Sequence, residues 1–242
     1  MKISVCMTTC NGMPFIKEQI ASILLQLELK DEILISDDES HDGTFEFLRQ
    51  LNDPRITLFR NTFHNVIRNY EFVMSKATGD IIFLSDQDDI WHKKKIEQIS
   101  DLLRNYDLVV SDCEVIDDNG AIIHESFYKI MNSGKGLLKN YIRNTYLGCC
   151  VAMNRKILEK AIPFPRNIPM HDIWIGIIGE IYGKTLFHDE KLVKYRRHCR
   201  NLSCAGGKSH YSMLRKTMFR IHLAKNIAVH LIKKIIYQNK RK

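Results

Sequence analysis

Apolar positions along this chain come in short blocks, and most blocks end in a polar cluster. "KISVCMTT" is an unbroken apolar and β-branched run that predicts a first strand. In the following "NGMPFIKEQIASILLQ", Ile16, Ile20, Ile23 and Leu24 recur three and four residues apart, the spacing of a turn and an amphipathic helix. The alternation repeats: strands over "DEILISDDES", "RITLFRN", "GDIIFLSDQDD" and "YDLVVSDCEVID", helices over "DGTFEFLRQL", "RNYEFVMSKA" and "WHKKKIEQISDLLRN". In the first of those three helices Asp42 stands at the capping position, with Gly43 and Thr44 in the first turn. Strands alternating with helices of this length predict an α/β chain with a Rossmann-like, mostly parallel sheet and helices on both faces.

The polar clusters fall in register with that pattern. Thr8, Thr9 and Asn11 follow strand one, Asp37 and Asp38 follow strand two, and Asp86, Asp88 and Asp89 follow strand four. In an open parallel sheet the carboxyl ends of the strands share one edge, where ligands bind. An aspartate often does no more than start a turn or cap a helix. That accounts for one acid per loop, and Asp89 or Asp42 fits it; paired acids after two strands ask for more.

Composition changes this picture in one respect. The 242 residues are 45% hydrophobic and 26% charged, an ordinary globular balance. No apolar run reaches the roughly 20 residues of a membrane-spanning helix. "MKISVCMTTCNG" turns polar too soon for a signal peptide, which points to the cytosol, and the seven scattered cysteines fit reduced thiols. The net charge of +8, however, is divided unevenly. Fifteen of the 36 Lys and Arg follow Glu190 and no acid does, so the first 190 residues are acidic and the remainder strongly basic. An anionic partner at one end is implied.

Crowded carboxylates repel unless a cation joins them. The spacing in "DQDD" suits a hard divalent ion, Mn²⁺ or Mg²⁺, shared with phosphate oxygens of a ligand. An acid-lined crevice with a metal fits a nucleoside diphosphate. Other phosphate sites are missing: there is no GxxxxGK[ST], and no GxGxxG follows the first strand.

As an ordered set, "SVCMTTCNG…ISDDESHDGT…ATGDIIFLSDQDDIW" resembles the family-2 glycosyltransferases of the GT-A fold, and "SDQDDIW" looks like their bacterial rhamnosyltransferase-like branch, over roughly residues 1 to 200. The resemblance implies that Thr8 and Asp38 meet the base and ribose, that Asp86 meets ribose and metal, and that Asp88 binds the metal bridging the diphosphate. Asn11 is grouped with the nucleotide site, and Arg68 and Asn69 in "NVIRNYE" stand where such proteins carry a basic or polar residue near the nucleotide; the glycine common in that segment is absent. "MHDIW" resembles the acidic motif that opens a helix after the acceptor loop, with His171 replacing its first acid. Asp172 would then be the general base of an inverting single displacement, since an acceptor hydroxyl must lose its proton as the new bond forms. Asp172 as a plain N-cap is the alternative. His171 either orients the acceptor or packs, and Trp174 is grouped with it. "KYRRHCRNLS" resembles the YRxHxxN element of the same branch, placing Arg196 and His198 at the leaving diphosphate or the metal, with a solvated basic loop as the other possibility.

The resulting organisation is a GT-A catalytic domain over 1–205, with a nucleotide-binding half (1–112) and an acceptor-binding half (113–205), then a basic amphipathic helical tail over 206–242. In the tail Leu214, Met218, Ile221, Ala228, Ile232, Ile235 and Ile236 share a face, interrupted by Lys225. Such a helix fits an anionic membrane surface, or packs on its own domain with a solvated basic side. No nucleic-acid motif accompanies the charge. The expected activity is transfer from a UDP- or dTDP-sugar to a hydroxyl of a growing bacterial surface glycan, lipid-linked, at the inner face of the plasma membrane. The competing classes are a non-catalytic, membrane-attached module for sugar nucleotides or carbohydrate, and a nucleotidyltransferase on the same sheet; the latter needs a basic triphosphate loop that "TTCNGMPF" lacks.

Overall fold

The computed structural model describes residues 1–198 and 212–239; the second half of "KYRRHCRNLS", the boundary expected at 205–206 and the last three residues lie outside them. The first half follows the predicted alternation: β1 (Ile3–Thr9), α1 (Ile16–Leu24), β2 (Glu32–Asp38), α2 (Thr44–Gln50), β3 (Ile56–Asn61), α3 (Val66–Ser75) and β4 (Ile81–Ser85). β3, β2, β1 and β4 lie side by side in that order, all parallel. Every residue of β1 and of β4 is buried, as parallel strands in the middle of a covered sheet require. α1 buries the predicted Ile16, Ile20 and Ile23, joined by Gln19. The turn into β4 depends on Gly79: a Cβ there would lie 2.7 Å from the Ser4 backbone nitrogen, so only glycine lets the turn close on β1.

The second half departs from simple alternation. It contains β5 (Ile90–Trp91), α4 (Lys95–Leu102), β6 (Leu108–Ile116), β7 (Ile122–His124), α5 (Phe127–Met131), α6 (Leu137–Ile142), a 3₁₀ turn at Gly148–Cys150, β8 (Val151–Asn154), α7 (Arg155–Ala161), α8 (His171–Tyr182), β9 (Thr185–Arg196) and α9 (Met213–Asn239). The sheet of the described residues runs β3-β2-β1-β4-β8-β6-β9-β5, with β7 on β6. The predicted fifth strand, β6, therefore does not sit beside β4. Short, buried β8 is inserted between them, antiparallel to both. The sheet is mixed though mostly parallel.

The tail is a helix, as the pattern predicts, and it packs against α8 and α6. Its inward residues are Phe219, Leu223, Ile227 and His230, with Leu223 buried in the core. The apolar face identified in the sequence lies half a turn away and is exposed. Among the described residues no helix is long and apolar enough to cross a membrane.

Candidate active site

The carboxyl ends of β1, β2 and β4 open on a crevice of about 1170 Å³, bounded on its far side by the start of α8. Of the predicted site residues, Thr8, Asp38, Arg68, Asp86, Asp88, His171 and Asp172 line it together. These come from five separate segments, so the convergence is a property of the fold.

The acidic loop after β4 is held from several sides. Gln87 clamps it to the loop after β1: its Oε1 accepts the Cys10 N–H at 2.8 Å and its Nε2 donates to the Cys10 carbonyl at 3.0 Å. Asp86 is partly buried, and the Tyr70 hydroxyl lies 2.6 Å from its Oδ1. Burial, and then the neighbouring Asp88 charge, raise the Asp86 carboxyl from 3.8 to about 6. Asp88 faces the crevice, with its Oδ2 2.7 Å from Nε2 of His198. Asp89 points the other way, fully buried; its Oδ1 accepts the Arg196 N–H at 3.0 Å, while Oδ2 has no hydrogen-bond partner. Burial and the two neighbouring carboxylates drive it well above the usual carboxylate range. Behind the loop Lys95 is fully buried, donating to the Cys149 carbonyl at 2.6 Å and lying 3.9 Å from the centre of the Trp91 ring. It is a counter-charge that the sequence did not single out.

Asp37 and Asp38 divide the work after β2. Asp37 is a framework residue, accepting from Thr9 Oγ1 and from both the N–H and the hydroxyl of Ser40. Asp38 lines the crevice and takes the backbone N–H groups of His64 and Asn65, one on each oxygen. Asn65 caps α3 by accepting from Ile67 and Arg68, which sets exposed Arg68 at the crevice wall. Asn69 is turned inward and bonded to Ser36.

At the opposite wall, α8 begins with His171 and Asp172. The N-cap position belongs to Met170, so Asp172 is not the N-cap. Its Oδ1 accepts from Asn144 Nδ2 at 3.1 Å and from the Ile173 N–H at 2.5 Å. Burial raises this carboxyl from 3.8 to about 7, with the Asp86 charge adding a smaller push. The His171 ring stacks on Tyr70 with centroids 3.9 Å apart, and neither ring nitrogen has a hydrogen-bond partner in the protein. Burial lowers its pKa to about 3, which keeps the imidazole neutral. Gly148 makes room for it, since a Cβ there would stand 2.9 Å from His171 Nε2. Tyr70 thus touches both walls: its hydroxyl meets Asp86 and its ring carries His171.

Four of the predicted residues lie off the crevice lining. Trp174 is fully buried, its indole N–H donating to the Ala161 carbonyl at 2.9 Å; two residues past Asp172 on a helix, it points almost opposite and into the core. Asn11 does not line the crevice; its Oδ1 accepts the His41 N–H and braces the first two loops against each other. Arg196 is buried beneath the acidic loop, donating to the carbonyls of Asp88, Asp117 and Asp118 and pairing with Glu18 at 2.6 Å. It shapes the loop from below rather than facing the crevice. His198 also lies off the main lining, stacked on Phe15 and reaching the site through Asp88.

The donor set suits a hard cation. Asp86, Asp89 and Cys149 offer ligand atoms within 4.8 Å of one another, yet Asp89 and Cys149 are sealed from the crevice and a thiol favours softer metals. Asp86 and Asp88 face the open side, where phosphate oxygens and water can complete an oxygen shell.

The description "Glycosyl transferase family 2" belongs to the family model that matches residues 4–162. The chain is 28% identical over 183 residues to the UDP-Glc:alpha-D-GlcNAc-diphosphoundecaprenol beta-1,3-glucosyltransferase WfgD of Escherichia coli, covering 74% of this chain and 70% of that protein. Its fold is similar to that of S. aureus TarS 1-349 in complex with UDP-GlcNAc, with a TM-score of 0.71, 17% identity, and coverage of 95% of this chain and 66% of that one. It is also similar to the mannosyltransferase PcManGT from Pyrobaculum calidifontis in complex with GDP-Man and Mn²⁺, with a TM-score of 0.62, 20% identity, and coverage of 93% and 64%. The chain spans slightly less than two thirds of each of those solved chains.

Proposed function

The chain belongs to glycosyl transferase family 2 and is a glycosyltransferase using nucleotide sugars, and from that premise we propose an inverting, metal-assisted transfer from a UDP- or dTDP-sugar to a hydroxyl of a lipid-linked bacterial surface glycan. The observation that carries this reading is the shared crevice: Asp86 and Asp88 at the end of β4 face Asp172 at the start of α8. One wall suits a diphosphate and the other a base. Membership of an enzyme family favours catalysis over the binding module.

Asp88, with Asp86 beside it, would hold Mn²⁺ or Mg²⁺. Such an ion, when bound, supplies positive charge against the diphosphate as it leaves. Thr8 and Asp38 form the wall for base and ribose, with Asp38 pinned by two backbone N–H groups so that its remaining lone pairs keep a fixed direction. Arg68 adds a cation at the rim. The acceptor oxygen attacks the anomeric carbon from the face opposite the diphosphate. The bond from that carbon to the phosphate oxygen breaks, the new glycosidic bond forms with inversion, and the acceptor proton passes to an Asp172 oxygen. Asn144 orients Asp172 through Oδ1. His171, neutral and with both ring nitrogens buried, acts by packing on Tyr70 beside the base. Arg196 and His198 act on the diphosphate end indirectly, by fixing Asp88.

Two variants separate the roles. Asp88→Asn removes Mn²⁺-dependent UDP binding in calorimetry. Asp172→Asn leaves that binding intact and lowers transfer by about a hundredfold or more. Wild-type turnover in Asp172→Asn defeats the base assignment.

A further inference from the structure

Helix α9 carries two apolar faces, and only one of them packs on its own domain. An amphipathic helix ordinarily buries its apolar stripe. Here the side packed on the domain carries Phe219, Leu223, Ile227 and His230, with Lys234 donating inward to the Ile181 carbonyl, and a second apolar stripe is left outside. Leu214, Met218, Ile221, Ile232, Ile235 and Ile236 are 51 to 81% exposed along the opposite side. Beside the stripe, Leu138 and Ile142 of α6 are also exposed, and α6 is tied to α9 by the Tyr141 hydroxyl on the Arg220 carbonyl and by Arg220 on the Ile142 carbonyl. An apolar surface of this kind marks a contact with something else.

Charge identifies the occupant. Between Met213 and Asn239 the chain has Arg215, Lys216, Arg220, Lys225, Lys233 and Lys234 and no acid. Lys233 borders one side of the stripe, and Lys225 interrupts its centre. A second copy pairing stripe to stripe would bring these cations together. A bilayer with anionic headgroups takes the apolar side chains and pairs the cations, and Lys225 can extend its ammonium up to the headgroups.

We propose that the outward stripe of α9, with Leu138 and Ile142 beside it, is a docking surface for an anionic lipid bilayer. The placement has a consequence for the crevice. Arg215 and Phe219, in the first turns of the same helix, line it together with Asp172. Docking by α9 sets the crevice mouth at the headgroup layer, where a lipid-linked acceptor presents its sugar. This deepens the proposed function and rests on it only for the acceptor; the docking itself needs neither donor nor acceptor.

The test is flotation of the purified full chain with phosphatidylcholine vesicles, with and without phosphatidylglycerol, alongside Mn²⁺-dependent UDP binding in the same samples. The chain is expected to float with the anionic vesicles, to stay behind with neutral ones, and to be released by high salt. Ile221→Asp and Ile232→Asp each lower partitioning about tenfold or more without lowering the melting temperature, because both sites are exposed. Failure of the wild type to float, or undiminished flotation of the double variant, overturns the proposal. So does a dimer in sedimentation that the same substitutions dissolve, which would make a second copy the occupant. Lost flotation with UDP binding intact removes the docking surface alone; flotation without UDP binding leaves docking standing and removes the catalytic reading.

Discussion

At the scale of single residues, the site is built from groups held away from their usual ionisation. Asp172 is the clearest. Its carboxyl rises from 3.8 to about 7 because it is buried, so the folded chain holds that proton more tightly than the unfolded chain does. The stabilisation this confers is complete below pH about 4 and is lost as pH rises to about 7. Asp172→Asn keeps an oxygen for Asn144 and Ile173 and removes the charge. The variant should be more stable than wild type at pH 8, by at most about 4 kcal/mol, with the difference shrinking as pH falls toward 4 in urea denaturation. A variant that gains stability as it loses turnover is the expected mark of a base held at the expense of the fold; equal stability at pH 8 would show the carboxyl is not strained there. Legibility at this scale was uneven. Asp86, Asp88 and Asp172 stood out because acids beside apolar runs are rare. Tyr70 did not, since an aromatic on a helix's apolar face reads as core and only the tertiary fold puts its hydroxyl under Asp86. Trp174 could have been placed: two residues from Asp172 is more than half a helical turn.

At the scale of elements, the hydrophobic pattern located strands and helices well wherever each strand was followed by its own crossover. The small residues of "NTYLGCCVAMNRKIL" read as a turn or strand before a helix, which is what β8 and α7 are. Four residues are too few, however, to show where β8 pairs, and its antiparallel position between β4 and β6 is set by the tertiary fold. The hairpin from β6 to β7 carried a legible signal in Asp117, Asp118, Asn119 and Gly120, with Gly120 at a positive φ of 85°. Arg196 shows how elements share one residue. At the end of β9 its motif predicts a site-facing cation, but strand geometry turns it inward, under the acidic loop and the β6–β7 turn. Arg196→Met leaves the carbonyls of Asp88, Asp117 and Asp118 without that donor and should cost about 3 kcal/mol of stability. Mn²⁺-dependent UDP binding should weaken as Asp88 loses its support. Arg196→Lys should not restore it, because one ammonium cannot span a fork of four acceptors. Unfolding curves and calorimetry on both variants decide this, and unchanged UDP affinity in Arg196→Met would separate the loop from the guanidinium.

At the scale of the whole molecule, the crevice joins halves of the chain whose charges are unbalanced until a ligand arrives. Asp86 is raised to about 6 and Asp172 to about 7, and Asp89 is raised as well. All three shifts have the same sign, so the ligand-free fold loses stability as pH climbs through about 6 to 7. A divalent ion with a nucleotide diphosphate would reverse the local balance, and protons compete with the ion for Asp86. Stabilisation by Mn²⁺ with UDP should therefore grow with pH. At saturation near a hundred times the dissociation constant the gain is about 2.7 kcal/mol, a rise in melting temperature of about 5 to 10 °C for a chain of this size. The rise should be largest at pH 8, smaller at pH 5, and absent when UDP is added with a chelator. A shift of the same size at both pH values would mean that the ion does not sit on the raised carboxylates. UDP stabilisation that survives the chelator would mean that the nucleotide is held by the crevice walls, with Arg68 and Asp38 carrying what the metal was assigned.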